Sequence, residues 1–378
     1  MSSKKLRNWI FPLHRYIGLA VGLIAIIAGL TGSLLVFHTE INNFDLQRQI
    51  GTITPVGKQL PVEVVLNNVK KTYGEQPEVT FQRITLPTKP NEPMTFALKT
   101  KSNDSTQIYV NPYTGVILGN NLQPSLLRKF FDIVYQLHFT LLVGDVGGVG
   151  FYLVGIVGLL VTILSITGIL LWPGWRKLIS SFQIKWNAHP KRFNFDVHKV
   201  VGLVTAVFLI FTFFTGFCWN FSDFVNPIIY AITFSKPQPN EINPNLMSVP
   251  IAGKLPLGLK DQLRTAQAVF PNGMLMKIDF PGQPEDALAF SFKLPQENEG
   301  YVSLEQYSGK VVQVDNSLNI SLNTSLADRI FISFADLHYG TFWGLPSRIF
   351  YLFVGLTPLI LLITGLVMWL YRYPCKTD

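Results

Sequence analysis

The chain has 378 residues, 48% of them hydrophobic and only 14% charged, with a formal net charge of +8. That length suits about two soluble domains, yet the apolar residues gather in runs too long for a soluble fold, and the positive excess needs no nucleic acid because much of it flanks those runs. The two cysteines, Cys218 and Cys375, exclude a disulfide framework, and the absence of C-x-x-C-H and H-E-x-x-H removes two common cofactor and metal patterns.

The first apolar run spans residues 16–37 and follows Lys4, Lys5 and Arg7. It is longer than the roughly 7–15 residues of a signal-peptide core and no small-x-small cleavage site follows, so it reads as a spanning helix. Next come an amphipathic helix, VEVVLNNVKKTY, and strands TFQRITL, MTFALKT and QIYVNPYTGVIL, in which Tyr113-Thr114-Gly115 is a hairpin turn with glycine at positive φ. SLLRKFFDIVYQLHFTLL then sets Phe130, Phe131, Val134, Leu137 and Leu141 at helical spacing, a greasy face for the membrane surface or for the soluble module. A second span covers 150–172, a basic link 173–199, and a third span 200–221. The helix LKDQLRTAQAVF and strands LMKIDF, ALAFSFKL and YVSLEQYSGKVVQV repeat the earlier order, with Tyr307-Ser308-Gly309 as the equivalent turn. SLADRIFISFADLHYGTFW and a fourth span at 349–371 complete the chain. With no water to satisfy backbone groups in hydrocarbon, the four spans must be helices.

These segments define seven parts: 1–38, 39–149, 150–172, 173–199, 200–221, 222–348 and 349–378. Arg15, Arg176, Lys177, Lys185, Lys191, Arg192, Lys199, Arg372 and Lys376 join the N-terminal cations at one set of helix ends. The positive-inside rule then places both termini and the link 173–199 in the cytoplasm and the two strand-rich segments outside. Trp9, Trp172, Trp175, Trp219, Trp343 and Trp369 lie close to helix ends, as an interfacial belt requires. The ending CKTD is not a prenylation box, since Lys376 and Thr377 are not aliphatic.

An internal repeat relates the halves. LHRYIGL from Leu13 matches VHKVVGL from Val197, and a Thr-Gly step follows 17 residues after His14 and after His198, at Thr31-Gly32 and Thr215-Gly216. YQLHF around His138 matches ADLHY around His338, and each leads to a further Thr-Gly and a tryptophan, TGILLW and TGLVMW. A single interfacial histidine is most simply a polar group bonded to headgroups, water or backbone. If the halves pack about an axis along the membrane normal, His14 faces His198 on one side and His138 faces His338 on the other. Two such pairs suit axial ligation of two haem b groups by neutral imidazole nitrogen.

Gly18, Gly22, Ala25, Gly29 and Gly32 share the face of His14, leaving room for a porphyrin or for a close helix neighbour. His38 has Ser222 as its equivalent; at the outer end it either replaces His138 or His338 as a ligand or contacts a proton or substrate beside them. His189 reads as a solvated loop residue. Arg83, Lys89, Arg128, Lys129 and Arg329 are candidates to meet an anionic ligand, with solvated charge the simpler reading.

LHRYIGL with Thr31-Gly32, LHF followed by GGVGFYLVGIVGLL and ITGILLWPGW, the repeated VHKVVGL and LHY units, and the hairpins YVNPYTGVIL and VSLEQYSGKVV resemble the PepSY-associated transmembrane family. Some of its members are described as iron-regulated membrane proteins and some are two-haem reductases of ferric siderophores. The resemblance implies a polytopic α-helical membrane protein of four transmembrane helices in a duplicated two-plus-two arrangement, with two small α+β PepSY-like modules outside. It also implies His14, His138, His198 and His338 as haem-associated positions. Pro358 interrupts the fourth span, and no Gly-Gly-x-Gly precedes it.

The expected function is transmembrane electron transfer that reduces a ferric siderophore outside the inner membrane, past aromatics such as Phe211, Phe213 and Phe214. Gly147–Gly150 opens a membrane helix outside any βαβ unit, so no flavin or nicotinamide site is visible and the donor is a quinol or a reductase protein. Membrane lipid surrounds the spans. A non-redox regulator acting through the PepSY modules and a siderophore or solute transporter are the alternatives, the latter lacking a deep intramembrane carboxylate or lysine.

Overall fold

The computed structural model describes residues 3–73, 79–99, 105–120, 124–172, 181–236, 248–250, 253, 255–295, 299–316 and 325–372. Trp175, Arg176, Lys177, Cys375 and Lys376 lie outside the described residues. The chain forms two compact units: Met1–Ile41, Leu126–Pro237 and Ser325–Asp378 make one, and Asn42–Ser125 with Gln238–Thr324 make the other.

The first unit is helical. Among the described residues, four helices in it are long and apolar enough to cross a membrane: α1 (Ser3–Leu35), α5 (Val149–Leu171), α6 (Pro190–Asn220) and α10 (Leu345–Leu370). They pack as a closed ring, α1 against α5 and α10, and α6 against α5 and α10. Two shorter helices lean on it, α4 (Leu126–Thr140) on α1 and α5, and α9 (Leu326–Tyr339) on α6. Further helices in the chain are α2 (His38–Ile50), α3 (Val62–Tyr73), α7 (Ser222–Ile232) and α8 (Leu259–Val269).

The ring closes where side chains are smallest. A Cβ on Gly29 would collide with the Gly355 carbonyl, and one on Gly158 would lie 2.7 Å from the Phe213 carbonyl. Without a hydrophobic difference between lipid and side chain, such close backbone approach is what holds membrane helices together. Interior hydroxyls turn back on their own helices: Thr162 donates to the Gly158 carbonyl at 2.8 Å and Ser165 to Val161 at 2.9 Å. Those two hydroxyl hydrogens are thereby satisfied within their own helix.

Pro358 does not interrupt α10, contrary to the sequence expectation. Proline lacks the N–H that would bond the Val354 carbonyl, and the Thr357 hydroxyl donates to that carbonyl instead, at 2.7 Å. The helix continues to Leu370. α1 and α6 also begin earlier than the apolar runs, so His14 and His198 lie within continuous helix rather than just outside a span.

The second unit carries one antiparallel sheet. Its strands are β1 (Thr80–Thr85), β2 (Met94–Lys99), β3 (Ser105–Val110), β4 (Ile117–Asn120), β5 (Met274–Asp279), β6 (Leu288–Lys293), β7 (Glu299–Leu304) and β8 (Val311–Asn316), in the order β4-β3-β2-β1-β5-β6-β7-β8. The sequence reading separated two modules; pairing of β1 with β5 merges their strands, with Ile84 opposite Ile278. Both are fully buried, together with Phe96, Phe290 and Phe292, and α3 and α8 add Val65, Val69 and Ala266 to that core. Gly115 and Gly309 adopt φ of +71° in the two hairpin turns, as expected from the sequence.

Candidate functional site: two facing histidine pairs

Each of the four repeated histidines reaches from one helix to a Thr-Gly step on another. His14 Nδ1 lies 2.9 Å from Thr167 Oγ1, His198 Nδ1 2.8 Å from Thr364, His138 Nδ1 2.9 Å from Thr31, and His338 Nδ1 3.0 Å from Thr215. In every case the threonine proton is already committed to a carbonyl four residues back: Ile163 at 2.8 Å, Ile360 at 2.7 Å, Ile27 at 2.6 Å and Phe211 at 2.6 Å.

That commitment determines the tautomer. With its proton spent, each threonine oxygen can only accept, so Nδ1 must carry the hydrogen and donate. Nε2 is then the bare lone pair on all four rings. The glycine of each step lets the ring lie against the main chain; a Cβ on Gly32 would sit 3.2 Å from His138 Cε1, tighter than an ordinary contact.

The rings meet in the expected pairs. His14 and His198 have centroids 6.3 Å apart with planes at 80°, and His138 and His338 are also 6.3 Å apart, at 71°. Two imidazoles bonded through Nε2 to one metal at about 2.0–2.1 Å each would have centroids roughly 6 Å apart when coaxial. Each histidine remains partly accessible. Even so, the packing around them penalises charge: burial pushes His138 down to about 4, and burial together with the neighbouring His138 pushes His338 down to about 3. Both are neutral at physiological pH, as a metal ligand must be.

Residues 11–372 match the PepSY-associated TM region. The chain belongs to that family. It is a membrane protein of the PepSY-associated kind, and the match takes in all four histidines and all four Thr-Gly steps. Among curated proteins, none matches the chain.

Other residues singled out in this PepSY-associated TM protein lie elsewhere. His38 opens α2 and packs its ring on Phe131 of α4, 5.1 Å between centroids. His189 is the N-cap of α6, where Nδ1 accepts from the Lys191 N–H at 3.3 Å, so it has a structural partner rather than a purely solvated loop position. Arg83 is ion-paired with Asp279 across β1 and β5, and Lys89 approaches Glu92 at 3.9 Å. Of the glycine stripe, Gly29 serves the α1–α10 crossing and Gly22 meets Leu362, whereas Gly32 faces an imidazole. Phe131 and Val134 of the α4 stripe are buried, but Phe130 is exposed; Phe213 is buried in the ring and Phe214 is exposed.

The threonines are the site residues that the sequence concealed. The Thr-Gly steps were visible, but their partners were not: 17 residues of helix rise about 25 Å, so Thr31 stands at the opposite end of α1 from His14 and serves His138 instead.

Proposed function

We propose that this protein carries electrons across the inner membrane and reduces ferric siderophores outside it, with one haem b held between His14 and His198 and another between His138 and His338. The observation that supports this reading is the pair of facing imidazoles at 6.3 Å, occurring twice, with Nε2 bare on all four rings. Two nitrogens are too few for a bare zinc ion, which takes three or four protein ligands. They suit an iron whose remaining donors come from a macrocycle.

Haem, when bound, supplies reversible one-electron chemistry. The chain does the rest. Thr31, Thr167, Thr215 and Thr364 orient the imidazoles and keep Nε2 deprotonated. An apolar cluster including Val21, Val157, Leu209 and Val354 packs α1, α5, α6 and α10 together. Ferric siderophore fits as acceptor because hard chelate oxygens favour the ferric ion, so reduction loosens iron without destroying the chelator. A quinol or a separate reductase protein would be the donor.

In this reading the halves are a duplicated two-plus-two arrangement, the sheet unit is a fused pair of PepSY-like modules outside the membrane, and both termini are cytoplasmic. The test is an oxidised-minus-dithionite-reduced visible spectrum with haem quantified per chain. About two bis-histidine haems per chain, reoxidised by a ferric siderophore, are expected; colourless protein from haem-replete cells overturns the proposal.

A further inference from the structure

The two halves differ in the charge set beside equivalent histidines. Each of His14 and His198 is followed by a basic residue, Arg15 and Lys199. The Lys199 ammonium, with a side chain only 6% exposed, donates to Asp196 Oδ1 at 3.0 Å. Asp196 is itself completely buried and also accepts from Arg192 Nε at 3.2 Å and, more weakly, from the Lys185 N–H at 3.4 Å. Lys199 thus has a carboxylate partner within the protein, although Asp196 is shared with Arg192.

That carboxylate partner is missing in the first half. Setting LHRYIGL on VHKVVGL puts Pro12 where Asp196 stands, so the carboxylate has no counterpart. Arg15 Nε is buried and makes no hydrogen bond. Tyr16 lies beneath the guanidinium of the half-buried Arg15, 4.5 Å from its ring centroid, but a ring on the face accepts no hydrogen from the in-plane Nε–H. An unpaired buried donor on a permanent cation is expensive. A planar guanidinium is also the preferred partner for a carboxylate or phosphate.

We propose that Arg15 binds an oxyanion that the chain itself does not supply, either a carboxylate of the group held by His14 and His198 or the phosphate of a membrane lipid. The haem carboxylate source rests on the function proposed above; the lipid source does not. In both, Arg15 takes from outside the charge partner that Lys199 finds in Asp196.

The test compares wild type, Arg15→Leu and Arg15→Lys in nanodiscs of phosphatidylcholine alone and with phosphatidylglycerol added. The readouts are haem per chain, the rate of haem transfer to apomyoglobin, and retained phosphatidylglycerol by mass spectrometry. For the carboxylate source, Arg15→Leu should release one of the two haems about tenfold faster or more, equally in both lipid mixtures, with Arg15→Lys largely restoring retention. For the lipid source, haem release is unchanged and Arg15→Leu loses bound phosphatidylglycerol. If neither haem retention nor lipid retention changes, the oxyanion site does not exist. Colourless wild type would overturn the haem reading separately, and the lipid measurement would still decide for or against Arg15.

Discussion

His138 donates its Nδ1 hydrogen to Thr31 Oγ1 at 2.9 Å while Thr31 donates its own to the Ile27 carbonyl at 2.6 Å. This two-bond chain runs from an imidazole on α4 to the backbone of α1, and the same chain recurs at the other three histidines. Its effect is to anchor ring orientation and tautomer to the helix backbone. Second partners of this kind commonly govern affinity for the metal as strongly as the ligands' surroundings do.

Thr31→Val keeps the volume of the side chain but removes the acceptor. On the proposed haem reading, affinity at the His138–His338 pair is expected to fall about 10- to 100-fold, with Thr31→Ser restoring most of it. Spectral titration of the apoprotein with haem measures this; unchanged affinity in Thr31→Val would show that the hydroxyl has no positioning role.

If each pair holds a haem as proposed, His138→Ala and His198→Ala should each remove one haem and leave the other, because the two pairs share no residue. Pyridine haemochrome quantification is expected to drop from about two per chain to about one in each single variant and to none in the double variant. Equal loss of both haems from either single variant would contradict the assigned pairing.

The Gly29–Gly355 crossing leaves no space for a side chain. Gly29→Val should destabilise the bundle by about 3 kcal/mol or more, at the upper end of overpacking costs, whereas Gly18→Ala, whose Cβ would sit 3.8 Å from Leu164, should be tolerated. Thermal unfolding in detergent followed by circular dichroism compares them.

In the sheet, Ile84→Ala should cost about 2–5 kcal/mol, since Ile84 is fully buried opposite Ile278. Arg83→Ala, which breaks the ion pair to Asp279 from a half-exposed position, should cost no more than about 1 kcal/mol. Denaturant unfolding of the full chain distinguishes the two. A larger loss from Arg83→Ala would mean that the ion pair, rather than the apolar contact, joins β1 to β5.

The start of α9 should respond to acid. Asp328 closes a capping box with Ser325, and the Ser325 hydroxyl, helped by Tyr230, holds its carboxyl below the usual carboxylate range. Because the folded value is depressed, this stabilisation is present above the unfolded value of about 3.9 and is lost as pH falls through the folded one. Amide exchange in residues 326–329 should therefore accelerate relative to the rest of α9 as pH falls below the unfolded value of about 3.9, and Asp328→Asn should remove that dependence.

Much of this was legible along the chain. The four spans follow from runs of apolar residues, the hairpins from glycines at Gly115 and Gly309, and the pairing of His14 with His198 and of His138 with His338 from matched positions in a repeat. These are local or periodic properties, and a membrane permits only helices for such segments. Tertiary structure decided the rest. Only packing brings Thr31 to His138 rather than to His14, because a helix separates residues that sequence spacing makes look associated. Only the ring shows which glycines serve helix crossings and which face an imidazole. The β1–β5 pairing, which merges two repeated modules into one sheet, depends on strands nearly two hundred residues apart, and no local propensity encodes a partner at that distance.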